Sequence, residues 1–159
     1  MVRDYSQLLG GNWPSEQLAA MNAFCDRAWD AFSTQGVSWI GFYVAENESE
    51  MVLVARRNKP ACSPIGMHGA CGRGLLSKKP LLVRDVKVLG AGYIACDPRD
   101  QAEVVIPLID ANGRAWAVLD VDSYEIGAFG VEDVLGFIAV LRDAGLQNVL
   151  FDGSDVCVA

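Results

Sequence analysis

The chain has 159 residues, 52% of them hydrophobic, which supports one domain with a sizeable core and leaves two domains cramped. Its 20 acids against 13 lysines and arginines leave a net charge of −7, which argues against nucleic acid or an anionic membrane as partner, since both demand a basic patch. No window approaches the roughly 18 apolar residues of a membrane-spanning helix, and Met1 to Gly11 holds no stretch of signal-peptide length. The expectation is a cytoplasmic protein whose thiols stay reduced, so its five cysteines do not read as a static disulfide framework.

Asn12-Trp13-Pro14-Ser15-Glu16 reads as a helix start, with proline in the first turn and an acid near the positive end of the dipole. Leu18, Met21, Cys25, Ala28, Trp29 and Phe32 then recur at helical spacing, which predicts a helix to about Thr34 with Cys25 as core packing. Val37–Val44 and Met51–Ala55 flank a polar turn and predict a hairpin. Alternation puts Ile40, Phe42 and Val44 on one face and Trp39, Gly41 and Tyr43 on the other. The glycine leaves room between the two rings, either for a ligand or for a second packed layer.

Asn58 to Gly74 reads as a loop, followed by a short helix from near Gly72 to Lys79 and a brief strand, Leu81–Val83. Gly90-Ala91-Gly92 breaks the chain, and Asp97–Asp100 is a turn. Glu103–Ile109 and Arg114–Asp122 form a second hairpin about Asp110-Ala111-Asn112-Gly113, with Pro107 marking an edge or a nearby bulge. Val131 to about Leu150 predicts a closing helix, weakened at Gly136 and Gly145 by roughly 1 kcal/mol each. The tail Asp152–Ala159 reads as loose and Cys157 as incidental. The predicted fold is α+β: an antiparallel sheet with both terminal helices on one face and loops and short helices on the other. It forms one domain over residues 1–159, with its core at about 13–150.

The middle of the chain carries the chemistry. Cys62, His68, Cys71 and Cys96 offer ligands that zinc would accept, but no close cysteine pair presents them, and no metal is expected. His68 is the lone histidine and no nucleophile elbow accompanies it. Thiol redox chemistry needs less: an attacking thiolate, a resolving thiol and an acid. Cys96 sits at an irregular corner, while Cys62 and Cys71 come from another loop that can fold over it. Pairing about Asn112-Gly113 puts Glu103 opposite or slightly beyond Asp122, with both near a strand end. Asp120 and Asp122 share one face of an apolar strand, which is costly unless they are solvated or face a cation. A solvated edge and an ammonium site both stay open on these residues.

Ser38–Tyr43, Ala61-Cys62, Gly69–Gly72, Tyr93–Asp97, Glu103–Leu108 and Val118–Ser123 together resemble the free methionine-(R)-sulfoxide reductases, a stand-alone branch of the GAF fold. The resemblance covers residues of about 36–145. It implies reduction of the R epimer of free methionine sulfoxide, with Cys96 attacking and passing through a sulfenic acid, and Cys62 closing an intramolecular disulfide. Thioredoxin would reopen it with electrons from NADPH and no bound cofactor. Cys71 resembles a third family cysteine able to substitute as nucleophile or resolver. Glu103 would hydrogen-bond and help protonate the sulfoxide oxygen, Asp120 and Asp122 would hold the ammonium, and Trp39 and Tyr43 would wall the S-methyl group. A homodimer is compatible with it. The chain departs from the family pattern at Arg56-Arg57-Asn58-Lys59, in a loop between Cys62 and Cys71 one residue short, and at His68, where arginine is usual. These departures touch the lid, and a GAF-type ligand or redox sensor without turnover is the alternative reading.

Overall fold

A computed structural model describes residues 2–93 and 96–159 of the chain. Its strands are β1 (Trp39–Ala45), β2 (Glu50–Arg57), β3 (Ile65–Gly66), β4 (Leu81–Val83), β5 (Ala102–Ile109), β6 (Ala115–Ser123) and β7 (Cys157–Val158). They form one sheet in the order β3-β2-β1-β6-β5-β4-β7, antiparallel throughout except where β7 joins β4. Three helices, α1 (Gln17–Phe32), α2 (Ala70–Ser77) and α3 (Val131–Asp143), complete it. None of the described helices is long and apolar enough to cross a membrane.

Alternation along β1 divides the core. Ile40 and Phe42 face the layer built by α1 and α3, where Phe24, Phe32 and Phe137 meet. Trp39 and Tyr43 face the opposite layer, under α2, with Leu75, Val105 and Val118. The two terminal helices therefore share one face, as the α+β reading expects, and the short helix lies on the other. Cys25 is buried in the first layer as a packing residue.

Several boundaries differ from expectation for local reasons. The first helix begins after Pro14 and Ser15, because the Glu16 carboxylate accepts from the amides of Leu18 and Ala19 at 3.1 and 2.7 Å and caps it there. Leu18 consequently points outward, 45% exposed, and Phe24 takes the core place that the stripe assigned to it. The closing helix stops at Asp143 instead of about Leu150, since Gly145 turns left-handed at φ +77. That turn brings buried Gln147 back to β5, where its Oε1 accepts from the Ile109 amide at 3.1 Å and its Nε2 donates to the Pro107 carbonyl at 2.6 Å. β4 covers only Glu103–Val105 of β5, so Pro107 lies on a locally free edge, and a bulge follows at Leu108–Ile109. The tail is not loose: the amides of Cys157 and Ala159 donate to the carbonyls of Pro80 and Leu82, making β7 a parallel strand.

Candidate active site

Three strands supply the floor of the site in register. On β6, Asp122 stands between Trp39 of β1 and Glu103 of β5, and Asp120 stands between Gly41 and Val105. The next residues on that face are Tyr43, Val118 and Pro107. Glu103 lies directly opposite Asp122, as the turn at Asn112-Gly113 predicts. The carboxyls are not at a solvated edge, however. β6 occupies the middle of the sheet order, and Glu103, Asp120 and Asp122 are only 5, 6 and 8% exposed.

α2 covers this floor closely because Gly74 permits it, while Gly72 lets the preceding loop fold back on the helix. A side chain at Gly72 would collide with the Met67 backbone, and one at Gly74 with Val105 of β5. The helix starts at Ala70, so Cys71 belongs to its first turn and is not part of a loop that folds over Cys96, which corrects the sequence reading. Its buried thiol lies within 4.8 Å of carboxyl oxygens of Glu103 and Asp120. Burial first, and then the charges of Asp120, Glu103 and Asp122, push that thiol well up. A thiol held neutral in this way is a poor nucleophile.

The aromatic pair spans from floor to roof. The Trp39 and Tyr43 rings lie 6.2 Å apart, with Gly41 making room for the Trp39 ring. Trp39 Nε1 donates to the Lys59 carbonyl at 2.9 Å, and the Tyr43 hydroxyl donates to the Cys62 carbonyl at 2.8 Å. Both rings thus have their polar atoms engaged in the roof and line the cavity. A second roof loop carries exposed Cys96, and a disulfide joins it to Cys62 across 5.8 Å between Cα atoms. Ile94 and Ala95 of the predicted approach to Cys96 lie outside the described residues. Between roof, α2 and sheet is a cavity of about 540 Å³, lined by every residue assigned a role from the sequence: Cys62, Cys71, Cys96, Glu103, Trp39, Tyr43, Asp120 and Asp122.

The electrostatics of the floor follow from four acids in one low-dielectric space. Burial, followed by the charges of Asp120 and Asp122, holds the Glu103 carboxyl well above its usual range. Asp122 is raised by burial and by Asp120, and Asp120 by burial against opposing hydrogen bonds from Glu103 and Cys71. Like charges this close cannot all ionise, so the cluster as a group holds on to protons, with Glu103 and Asp122 pushed furthest up. One oxygen each of Glu103, Asp120 and Asp122 is buried without a hydrogen-bond partner among the described residues. Unpartnered carboxylate oxygens on a cavity floor are fitted to a cationic donor. Among the described residues, the donor group able to hold a metal ion is Cys71, Glu103 and Asp120, within 4.8 Å of one another. It shares only Cys71 with the set of ligands that the sequence offers.

Asp100 and Tyr93 also line the cavity, which the sequence reading does not anticipate. Asp97–Asp100 has the composition of a turn, yet Asp100 is buried, and burial with the charges of Asp97 and Asp120 pushes its carboxyl up to about 7. Nothing local in Asp97–Asp100 distinguishes that carboxyl from a solvated turn acid.

No family model matches the chain. Among known proteins, the free methionine-R-sulfoxide reductase of Escherichia coli is 36% identical over 116 residues, covering 72% of this chain and 67% of that protein. The chain belongs to the free methionine-R-sulfoxide reductase family. It spans 58 to 67% of the length of that reductase, its yeast counterpart at 34% identity and a Dictyostelium discoideum GAF domain-containing protein at 38%. The Neisseria meningitidis reductase, solved in complex with its substrate, superposes with a TM-score of 0.75 at 26% identity, over 88% of this chain and 80% of that one. A solved GAF domain gives 0.74 at 27%, over 91% and 84%. The fold is therefore the GAF fold, and the buried acids lie on its cavity floor.

Proposed function

We propose that this chain reduces free methionine (R)-sulfoxide to methionine, using Cys96 as nucleophile, Cys62 as resolving thiol and Glu103 as acid. One observation carries the reading: a single cavity has the Cys62–Cys96 disulfide in its roof and the buried Glu103, Asp120 and Asp122 carboxyls in its floor. Family membership supports the same chemistry.

In the reduced protein, the Cys96 thiolate attacks the sulfoxide sulfur while Glu103 gives its proton to the oxygen. A sulfoxide oxygen leaves poorly unless protonated, so a carboxylic acid kept neutral by burial is the group required. The oxygen passes to Cys96 as a sulfenic acid, and methionine is released as the sulfide. Cys62 then attacks the Cys96 sulfur, a disulfide forms and water departs. A dithiol of the thioredoxin class returns the two electrons, drawn from NADPH, and no bound cofactor is needed. Asp120 and Asp122 supply their unpartnered oxygens to the α-ammonium. A methionine inside a peptide has no such charge, which makes the floor selective for the free amino acid. The Trp39 and Tyr43 faces enclose the S-methyl group and exclude water. The buried, neutral Cys71 thiol packs beside Asp120 and helps position it instead of attacking. One domain over residues 1–159, in the cytoplasm and as a monomer or homodimer, suffices for this cycle.

The test supplies free methionine (R)-sulfoxide with thioredoxin, thioredoxin reductase and NADPH. The expected result is NADPH oxidation that Cys96→Ser abolishes, and the loss of two free thiols per substrate when reductant is omitted. No oxidation above the Cys96→Ser control rejects the proposal, and substrate binding without thiol loss identifies a sensor.

A further inference from the structure

A second, noncovalent linkage joins the two roof loops beside the disulfide. Lys59, three residues before Cys62, donates through Nζ to Asp97, the neighbour of Cys96. Asp97 also accepts from Arg99 Nε and Nη2 at 3.0 and 2.9 Å and from the Tyr124 hydroxyl at 2.8 Å. The Tyr124 ring lies under both cations, 5.1 Å from Lys59 Nζ and 4.7 Å from the Arg99 guanidinium carbon. Tyr124 directly follows β6, which carries Asp120 and Asp122, and the Lys59 carbonyl is held by Trp39 of β1. Both loops are thereby tied to the sheet and to each other. The Asp97 side chain is 14% exposed but Lys59 is 33% and Arg99 66% exposed, so salt reaches this network.

Cys62 and Cys96 are 34 residues apart in the chain. Once the disulfide is reduced, some other contact must keep Cys62 within reach of Cys96. Without one, closing the ring again costs the entropy of bringing two loops together. We propose that Lys59, Asp97 and Tyr124 form a latch that is independent of redox state and holds Cys62 beside Cys96 in the reduced protein, so that a sulfenic acid on Cys96 is resolved before another thiol or oxidant reaches it. The three are positioning residues. The inference rests on reading Cys96 as the attacking and Cys62 as the resolving cysteine.

The test separates the two chemical steps and does not need methionine sulfoxide. Reduced protein receives one equivalent of hydrogen peroxide, which transfers one oxygen to the Cys96 thiolate and leaves as hydroxide. Cys62 then displaces the hydroxyl from the Cys96 sulfur, forming the disulfide and releasing water. Dimedone traps whatever sulfenic acid persists, and mass spectrometry follows adduct and disulfide with time. The expected outcome is disulfide closure about tenfold slower in Lys59→Met and in Asp97→Asn, the scale of losing a charge-assisted network. A dimedone adduct on Cys96 should accumulate, and Lys59→Arg should restore closure. High salt should slow closure in the unmodified chain and leave Lys59→Met unchanged. Closure as fast in both variants as in the unmodified chain overturns the latch, as does a loss that Lys59→Arg fails to restore. Normal peroxide-driven closure without methionine sulfoxide turnover would leave the latch standing and refute only the proposed substrate.

Discussion

Replacing Asp100 by asparagine tests the electrostatic account of the cavity with a number attached. Asp100 is buried at the foot of the Cys96 loop, and burial, then Asp97, then Asp120 raise its carboxyl from 3.8 to about 7. The unfolded carboxyl ionises near 3.8, so between that pH and about 7 the unfolded chain gives up a proton that the folded chain keeps. The sign follows: the contribution of Asp100 to stability is fully present below pH 3.8 and is lost as pH rises to about 7. At 1.36 kcal/mol per pH unit the loss reaches about 4 kcal/mol, a ceiling that local relaxation lowers. Asparagine keeps the shape and cannot ionise. Asp100→Asn should therefore match the unmodified chain to within about 1 kcal/mol near pH 4 and exceed it by up to about 4 kcal/mol at pH 8. For a chain of this length that corresponds to a rise in Tm of roughly 8–16 °C. Thermal or urea melts of both proteins from pH 4 to 8.5, with the disulfide kept oxidised, measure it. A difference that does not change with pH, or a variant that is weaker at pH 8, refutes the reasoning.

Glu103→Gln should keep the fold and peroxide-driven closure of Cys62–Cys96 while turnover falls about a hundred- to ten-thousandfold, the range of a lost general acid; full activity removes the acid role. Because Glu103 is raised and acts protonated, kcat/KM should hold through neutral pH and fall as pH climbs through its titration; a rise on the alkaline side contradicts this. Asp122→Asn should cut kcat/KM for the free amino acid about 10- to 100-fold, with far less effect on an N-acetylated substrate; an equal loss on both argues against ammonium recognition. Gln147→Ala strips two buried hydrogen bonds from the free edge at Pro107 and Ile109 and should lower stability by about 1–3 kcal/mol in urea melts, with an unchanged midpoint counting against it. Gly41→Ala drives a methyl into the Trp39 ring and should cost about 1–3 kcal/mol as overpacking while weakening substrate binding; a variant that melts and binds normally shows the ring has room to move.

Whatever depends on local backbone periodicity is legible in the sequence alone. The period of two along Trp39–Val44 separates the aromatic face from the aliphatic one. The Asn112-Gly113 turn pairs Glu103 with Asp122, because a tight hairpin sets the register of both its strands. Those two rules group the aromatics on one face of the first hairpin and the acids on one face of the second, and the pairing of β1 with β6 brings the two faces to the same side of the sheet. Burial cannot be read the same way, because it depends on what packs above. The sheet order puts β6 in its middle and α2 settles on the floor with Gly74 against Val105, which rules out a solvated edge. Cys71 is a helical thiol and not a loop thiol, and a start at Ala70 leaves no periodic signal of this in so short a glycine-rich segment. Asp100, the contact of Lys59 with Asp97, and the pairing of the tail with β4 all join residues distant in sequence whose neighbours show no pattern. The sequence by itself determined which side chains share a face. Only the tertiary structure decided which of them are dry, and a carboxyl's proton depends on that.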